Sequence, residues 1–559
     1  MPTSYINPEY PYQHSPDQDK AGPAHHQVII AGGGPAGLAA AMDLAQQGVK
    51  TVVLDDNNTV SVGSRAICIA KRTLEIYDRY GCAQPMLDKG VTWNLGKVYF
   101  GEEQVYEFNL LPEADHKVPA FINLQQYYME EYMVKRCMQM PEIDLRWLHK
   151  VSEVSTDNTG TAVTVSTAEG DYALTCDYLL VADGANSQIR QALGLESKGQ
   201  VFEDRFLIAD IIMKADFPAE RRFWFDAPFH PEQSTLLHKQ ADNVWRIDFQ
   251  LGWDADPDEE KKLENIRPRV EAMLGKDMEW ELDWASVYTF RCRKMDSFIH
   301  HRVFFIGDAA HQVSPFGARG ANGAVQGVEN LGWKLAAVTQ GRAPEALLHT
   351  YDHERQHGAQ ENILHSTRAT DFMTPKNHIT KVFRDTVLDL SRTYPFARSL
   401  VNSGRLSKPC SYASSPLNTP DIAHFGAGVE PGSPCPDAPV SGGNNSGWLL
   451  NHIGNRFSIL LKGEVDSGRL AQLLNAVETA GQSAELICSD ARQHQPPQAV
   501  HLRDGKGVLN QRFDLGESAV YLVRPDQHVA ARWRYFEPDA VLTAMLRALG
   551  SDLTGEHAA

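Results

Sequence analysis

The residues most ready to do chemistry are three glycines, Gly32, Gly34 and Gly37, in the run Gly32-Gly33-Gly34-Pro35-Ala36-Gly37. An apolar run, Gln27-Val28-Ile29-Ile30-Ala31, precedes them, and a segment rich in Ala and Leu follows as far as Gly48. This order predicts strand, tight turn and helix. Gly32 permits the turn, Gly34 lets backbone approach a pyrophosphate, and Gly37 lets helix and strand pack closely, with Ala36 beside it. The helix N-terminus offers free N–H groups and positive dipole to phosphate. Asp55 closes the next apolar run, Thr51-Val52-Val53-Leu54, with Asp56 directly after it. A carboxylate there accepts ribose hydroxyls, so the segment reads as a dinucleotide site. Which dinucleotide it binds is not decided by the glycines.

Two later apolar runs also end in Asp and Gly. Tyr178-Leu179-Leu180-Val181-Ala182 leads into Asp183-Gly184, and Val303-Phe304-Phe305-Ile306 leads into Gly307-Asp308. The loop Pro315-Phe316-Gly317-Ala318-Arg319-Gly320-Ala321-Asn322-Gly323 then enters a segment, 324–339, with Val325, Val328, Leu331, Leu335 and Val338 on one helical face. Glycines in that loop would let backbone meet a flat ring, and the helix start would offer donors to negative charge on it.

The order GxGxxG, then Asp-Gly, then Gly-Asp resembles the single-component FAD-dependent aromatic hydroxylases, the group of para-hydroxybenzoate hydroxylase. It is most similar to their 3-(3-hydroxyphenyl)propionate, pentachlorophenol and phenol hydroxylase branch, whose terminal motif is matched by Leu522-Val523-Arg524-Pro525-Asp526-Gln527-His528-Val529-Ala530. The resemblance implies a Rossmann-like α/β FAD-binding fold, an inserted antiparallel-sheet substrate domain and a C-terminal thioredoxin-like domain without redox cysteines. It also implies a homodimer that takes electrons from NADPH or NADH, while the scattered cysteines and the lack of a visible leader point to a reducing cytoplasm. Oxygen activated as a flavin C4a-hydroperoxide would then hydroxylate a phenolic ring. Under it, Asp308 would bind the ribityl chain with Gly307 making room, and Asp183 and Gly184 would serve FAD and the visiting nicotinamide. Arg65, Gln126, Gly320, Ala321 and Asn322 would belong to the flavin side of the pocket. Relatives often carry Asp where Gly327 stands, a departure that leaves one helix contact open.

Substrate contacts are expected between the Asp-Gly and Gly-Asp motifs. Val244 to Leu251 alternates, placing Arg246, Asp248 and Gln250 on one face and Trp245, Ile247 and Phe249 on the other. Arg246 and Asp248 are substrate candidates; an ion pair between them at the surface is the alternative. Phe223-Trp224-Phe225 would wall the pocket, with Phe225 the substrate candidate. Pro315, Tyr288 and Arg291 are the catalytic candidates: Pro315 stiffens the loop, and the other two would recognise a phenol oxygen or carboxylate. His311 is either structural or part of the site.

Other chemistries fit less well. An NAD-dependent dehydrogenase leaves the later motifs and the tail unexplained, the intact Asp308 with its glycine loop speaks against a vestigial flavin fold, and the halogenase motif WxWxIP has no match. Epoxidation by the same flavin chemistry stays open.

The elements that position these residues need several cores, since 559 residues exceed one. We expect an irregular arm over 1–25, an FAD-binding domain over 26–190 and 290–405, a substrate domain over 191–289, a linker over 406–430 and a terminal domain over 431–559. A net charge of −18 argues against a nucleic-acid partner. Eight scattered cysteines without CxxC signal neither zinc nor a dithiol. No apolar run is long enough to cross a membrane, and no secretory leader is visible.

Overall fold

The structure is a computed structural model that describes residues 5–252, 254–401, 408–442, 447–489 and 499–553. Its first sheet explains why the three motifs belong together. The strands Val303–Phe305, Gly170–Val181, Ala24–Ala31, Thr51–Asp55 and Ile143–Trp147 lie side by side in that order, all parallel. Ala31 is level with Val181, and Val181 with Phe305. Their carboxyl ends therefore share one edge, where ligands bind in open α/β sheets. Backbone bonds from Gly32 N–H to Leu54 O, Ala182 N–H to Ala31 O and Ile306 N–H to Val181 O carry the sheet right up to each motif.

Two helices cover this edge. Pro35–Gln46 follows the glycine turn, with Pro at its first position where no N–H is needed. Gly320–Thr339 packs against it, buried from Asn322 to Ala337. The helix starts four residues before the expected 324, because Asn322 is held by Cys68, Ala70 and Ala318 despite the weak helix propensity of Gly320 and Gly323.

The second sheet runs Trp280–Met295, Ser197–Met213, Val244–Leu251, His230–Lys239, Arg221–Ala227, Leu95–Phe100 and Glu103–Asn109. It is antiparallel except where Arg221–Ala227 meets Leu95–Phe100. One face packs Leu207, Ile211, Trp245, Ile247 and Phe249 against the Leu263–Leu274 helix. The other face looks toward the first sheet.

The N-terminal arm is laid on the body of the molecule. Tyr5 stacks on Tyr127, Tyr10 on Trp147 and Tyr12 on His149. Asp17 joins Arg146 and His26. The terminal unit is a mixed five-stranded sheet in the order Val500–Leu502, Ala484–Ser489, Phe457–Lys462, Ala519–Val523, Val529–Trp533. Between it and the first sheet, the segment near Tyr412 is packed, with Cys410, Tyr412 and Leu417 buried. All eight cysteines are free thiols. Among the described residues no helix is long and apolar enough to cross a membrane.

Candidate flavin and substrate site

The glycine turn is built by close approach. A Cβ at Gly37 would stand 1.8 Å from Gly32 O, and Gly32 itself has φ +110°. Gly34 faces open space, and a Cβ there would meet no atom within 4 Å. Gly33 N–H donates to the Asp55 carboxylate, which also accepts from Asn57 N–H at 2.8 Å. The turn and the acid are thus one unit. Asp56 is exposed beside them.

Asp183 uses one oxygen to accept from Ile189 N–H at 3.1 Å, while Oδ1 is buried without a hydrogen-bond partner. Gly184 follows with φ +83°. Gly307, φ +59°, would drive a Cβ to 2.9 Å from Ala36 Cβ, so the Gly307-Asp308 motif and the glycine turn touch here. Asp308 is reached by solvent yet enclosed by protein; burial pushes its carboxyl up to about 6, offset by Arg65. Such a carboxylate, next to the glycine that meets Ala36, fits the hydroxyls of a cofactor chain.

Arg65 is exposed near Asp308, and its segment is tied from both sides. Gln126 accepts from Ala66 N–H and donates to Ser61 and Glu130, so its amide holds the segment and is not free to meet a ring. Asn322 likewise spends its side chain on Ala70 N–H, Cys68 O and Ala318 O. What the Gly320, Ala321 and Asn322 turn offers a flavin is its first-turn N–H groups. Gly327 makes room for Arg355, which approaches a Cβ there to 3.2 Å and bonds Gly323 O and Tyr412.

Packed with Phe316 of the loop is a buried cluster of aromatics, the candidate substrate chamber. Phe206 and Phe290 lie 5.2 and 5.1 Å from Phe316 by ring centroids. Phe225, Phe223, Tyr288, Phe372 and Met373 pack into the same cluster. Pro315 is exposed at its rim. Tyr288 is close enough to Asp308 for its negative charge, after burial, to raise the phenol's pKa. Arg291 is exposed and donates to Asn186 in the Asp183–Gly184 loop, at 3.2 Å. Trp224 does not wall the chamber. Strand alternation turns it to the other face, where it stacks on Tyr99.

Arg246 and Asp248 share a face as expected, but they are not a surface ion pair. Arg246, 3% exposed, pairs with Asp210 at 2.8 Å and donates to the carbonyls of Ser64 and Arg65. Asp210 lies opposite it on the neighbouring strand, a register that sequence alone does not reveal. His311 is buried against Phe298, and burial lowers its imidazole to about 3. Asp210 is the buried partner of Arg246 that sequence reasoning missed.

The sequence profile of the FAD binding domain family matches residues 25–366. A 3-(3-hydroxy-phenyl)propionate/3-hydroxycinnamic acid hydroxylase of Mycobacterium sp. (strain JLS) is 25% identical over 93% of this chain and 92% of its own length. A 6-methylpretetramide 4-monooxygenase of Streptomyces rimosus is 28% identical over 94% and 93%. Among solved structures, the flavin-dependent monooxygenase PieE in complex with FAD and substrate superposes with a TM-score of 0.78, at 22% identity over 95% of this chain and all of that one. Aklavinone-11 hydroxylase with FAD and aklavinone gives 0.76, at 21% identity over 94% and 99%. The glycine turn and the two aspartate motifs meet at the shared sheet edge, and the chain belongs to the FAD binding domain family.

Proposed function

We propose that this protein is a monooxygenase that uses FAD, NADPH or NADH, and O2 to hydroxylate a phenolic aromatic substrate. The observation that carries this reading is the double role of the Pro315–Gly320 loop. It opens the buried helix that borders the FAD cradle, and through Phe316 it bounds the aromatic chamber. Bound FAD supplies the electron transfer and the activation of oxygen.

The chain's own residues do the rest. The first turn of the Gly320–Thr339 helix stabilises negative charge on the ring system. Phe206, Phe223, Phe225, Phe290 and Phe316 exclude water from the reacting ring. Tyr288 stands between the chamber and Asp308 and orients a substrate oxygen by hydrogen bonding. Asp183 and Gly184 border the nicotinamide's approach, with Arg291 at its outer side. The relatives named above are named for 3-(3-hydroxy-phenyl)propionate and for 6-methylpretetramide, which supports an aromatic, hydroxylated substrate. The homodimer and the cytoplasmic location belong to the same reading.

The test is direct. FAD-loaded protein is given NADPH or NADH with a panel of phenols of one to four rings, and products are weighed by mass spectrometry. A product heavier by one oxygen atom, formed in step with nicotinamide consumption, is the expected result. Hydrogen peroxide alone across the whole panel would sink the proposal.

A further inference from the structure

The residues from Asp56 to Ile67 form neither helix nor strand, yet they join two parts of the cofactor site. Asp55, just before them, is tied to the glycine turn, and Arg65, near their end, offsets the burial of Asp308. An irregular loop pairs few of its own backbone groups, so other segments must meet its N–H and C=O groups. The body of the molecule meets the later half. Glu130 accepts from Ser61 N–H at 2.6 Å, Gln126 accepts from Ala66 N–H at 3.0 Å, and Arg246 donates to the carbonyls of Ser64 and Arg65.

The N-terminal arm meets the earlier half. Asn7 Nδ2 donates to Val60 O at 3.2 Å and to Ser61 O at 3.1 Å. Thr59 Oγ1 donates to Pro8 O at 2.6 Å, and Tyr10 N–H to Asn58 O at 2.7 Å. Every residue from Asn58 to Ser61 is thus bonded to the arm. Further along, Tyr10 and Tyr12 stack on Trp147 and His149, and Asp17 pairs with Arg146. That second anchorage also bears on the loop, because Leu148 N–H donates to Asn57 O and His149 N–H to Asp55 O. The arm has little regular structure of its own beyond one turn at Pro16–Asp19. Fixing such a chain costs conformational entropy at each residue, which these contacts offset. It precedes residue 25, where the match to the family profile begins.

We propose that the N-terminal arm is a positioning element of the cofactor site: Asn7, Pro8 and Tyr10 hold the Asn57–Arg65 loop in place and so slow the release of FAD. The arm acts through the loop, with Asp55 and Arg65 as the groups that meet the cofactor. The inference rests on that reading of Asp55 and Arg65, and its two readouts need no substrate, nicotinamide or turnover.

FAD-loaded protein is diluted, and flavin release is followed by the rise in flavin fluorescence. In parallel, brief trypsin treatment and mass spectrometry measure cleavage after Arg65, which is exposed but lies in a held loop. Asn7→Ala with Thr59→Val removes three of the arm's bonds to the loop. In this double variant FAD is expected to leave roughly 10-fold faster, and cleavage after Arg65 to rise at least about fivefold, since nicking tracks the opened population. Asn7→Asp keeps the size of the side chain but has no donor, and should match Asn7→Ala. Removal of 1–20 should speed release at least as much. It also takes Asp17 from Arg146 and His26, so where the shortened chain fails to fold the point variants decide. Release from the double variant within about twofold of the unaltered rate overturns the proposal, whatever happens at Arg65. So does faster release without added cleavage there, because the loop is then not the route. Cleavage that rises equally throughout the chain marks general unfolding and overturns it as well.

Discussion

Asp308 makes most physical sense as the partner of a cofactor's hydroxyls. It follows Gly307, which meets Ala36, and only Arg65 offsets the desolvation of its carboxyl. Asp308→Ala should therefore leave a folded protein that retains little FAD, read as the ratio of flavin to protein absorbance after desalting, with affinity down at least about tenfold. Full flavin retention would remove Asp308 from the site. At this scale the sequence reveals strand-end dipeptides such as Asp183-Gly184 and Gly307-Asp308, because their meaning is local. It does not reveal that Arg246 answers Asp210, since that depends on how two distant strands align.

Among the elements, the glycine turn is the most exacting. The Gly32–Gly37 contact leaves no room for a methyl group, since a Cβ at Gly37 would stand 1.8 Å from Gly32 O. Gly37→Ala must push the Pro35–Gln46 helix off the sheet or open the turn. We expect a protein that is poorly soluble or, where recovered, free of FAD and melting several degrees lower; calorimetry and flavin absorbance measure both. A fully flavinated, equally stable variant would contradict the close packing. This turn was legible because strand, glycines and helix are contiguous. So was the alternation of Val244–Leu251, whose apolar half does pack in the core. The Leu95–Phe100 and Glu103–Asn109 hairpin is different. Far from the second sheet in sequence, it extends that sheet through parallel pairing of Val98 with Phe223, and no local pattern announces such a partner.

Across the whole molecule, the terminal motif that helped mark the resemblance turns out to be a lock between units. Arg524 bonds Glu354 at 2.7 and 3.1 Å and Asp526 at 2.5 and 3.0 Å, with all three side chains fully buried. Lys334, on the helix that begins at the flavin loop, joins Glu354 at 2.7 Å. Trp333 donates to Asp526, and Arg72 reaches Gln527, Asp526 O and Glu329. Burial alone would raise Glu354, but Arg524 and Lys334 hold it well below the usual carboxylate range. Lys334 itself is lowered to about 8 by burial, against the pull of Glu354. The network therefore stands only while every member is present. Arg524→Met leaves Glu354 and Asp526 short of a counter-charge and should cost about 3–5 kcal/mol of stability, seen as a lower denaturant midpoint. Because Lys334 and Trp333 lie on the same helix as Gly320 and Asn322, the loss should reach the cofactor. FAD release should come at lower temperature in Arg524→Met than in the unaltered chain, in step with unfolding of the first sheet. Removal of 431–559 should go further and abolish flavin retention, since it strips partners from Glu354, Trp333 and Arg72 at once. A truncated chain that folds and holds FAD as tightly as the whole would show that the lock fastens the terminal unit without supporting the site.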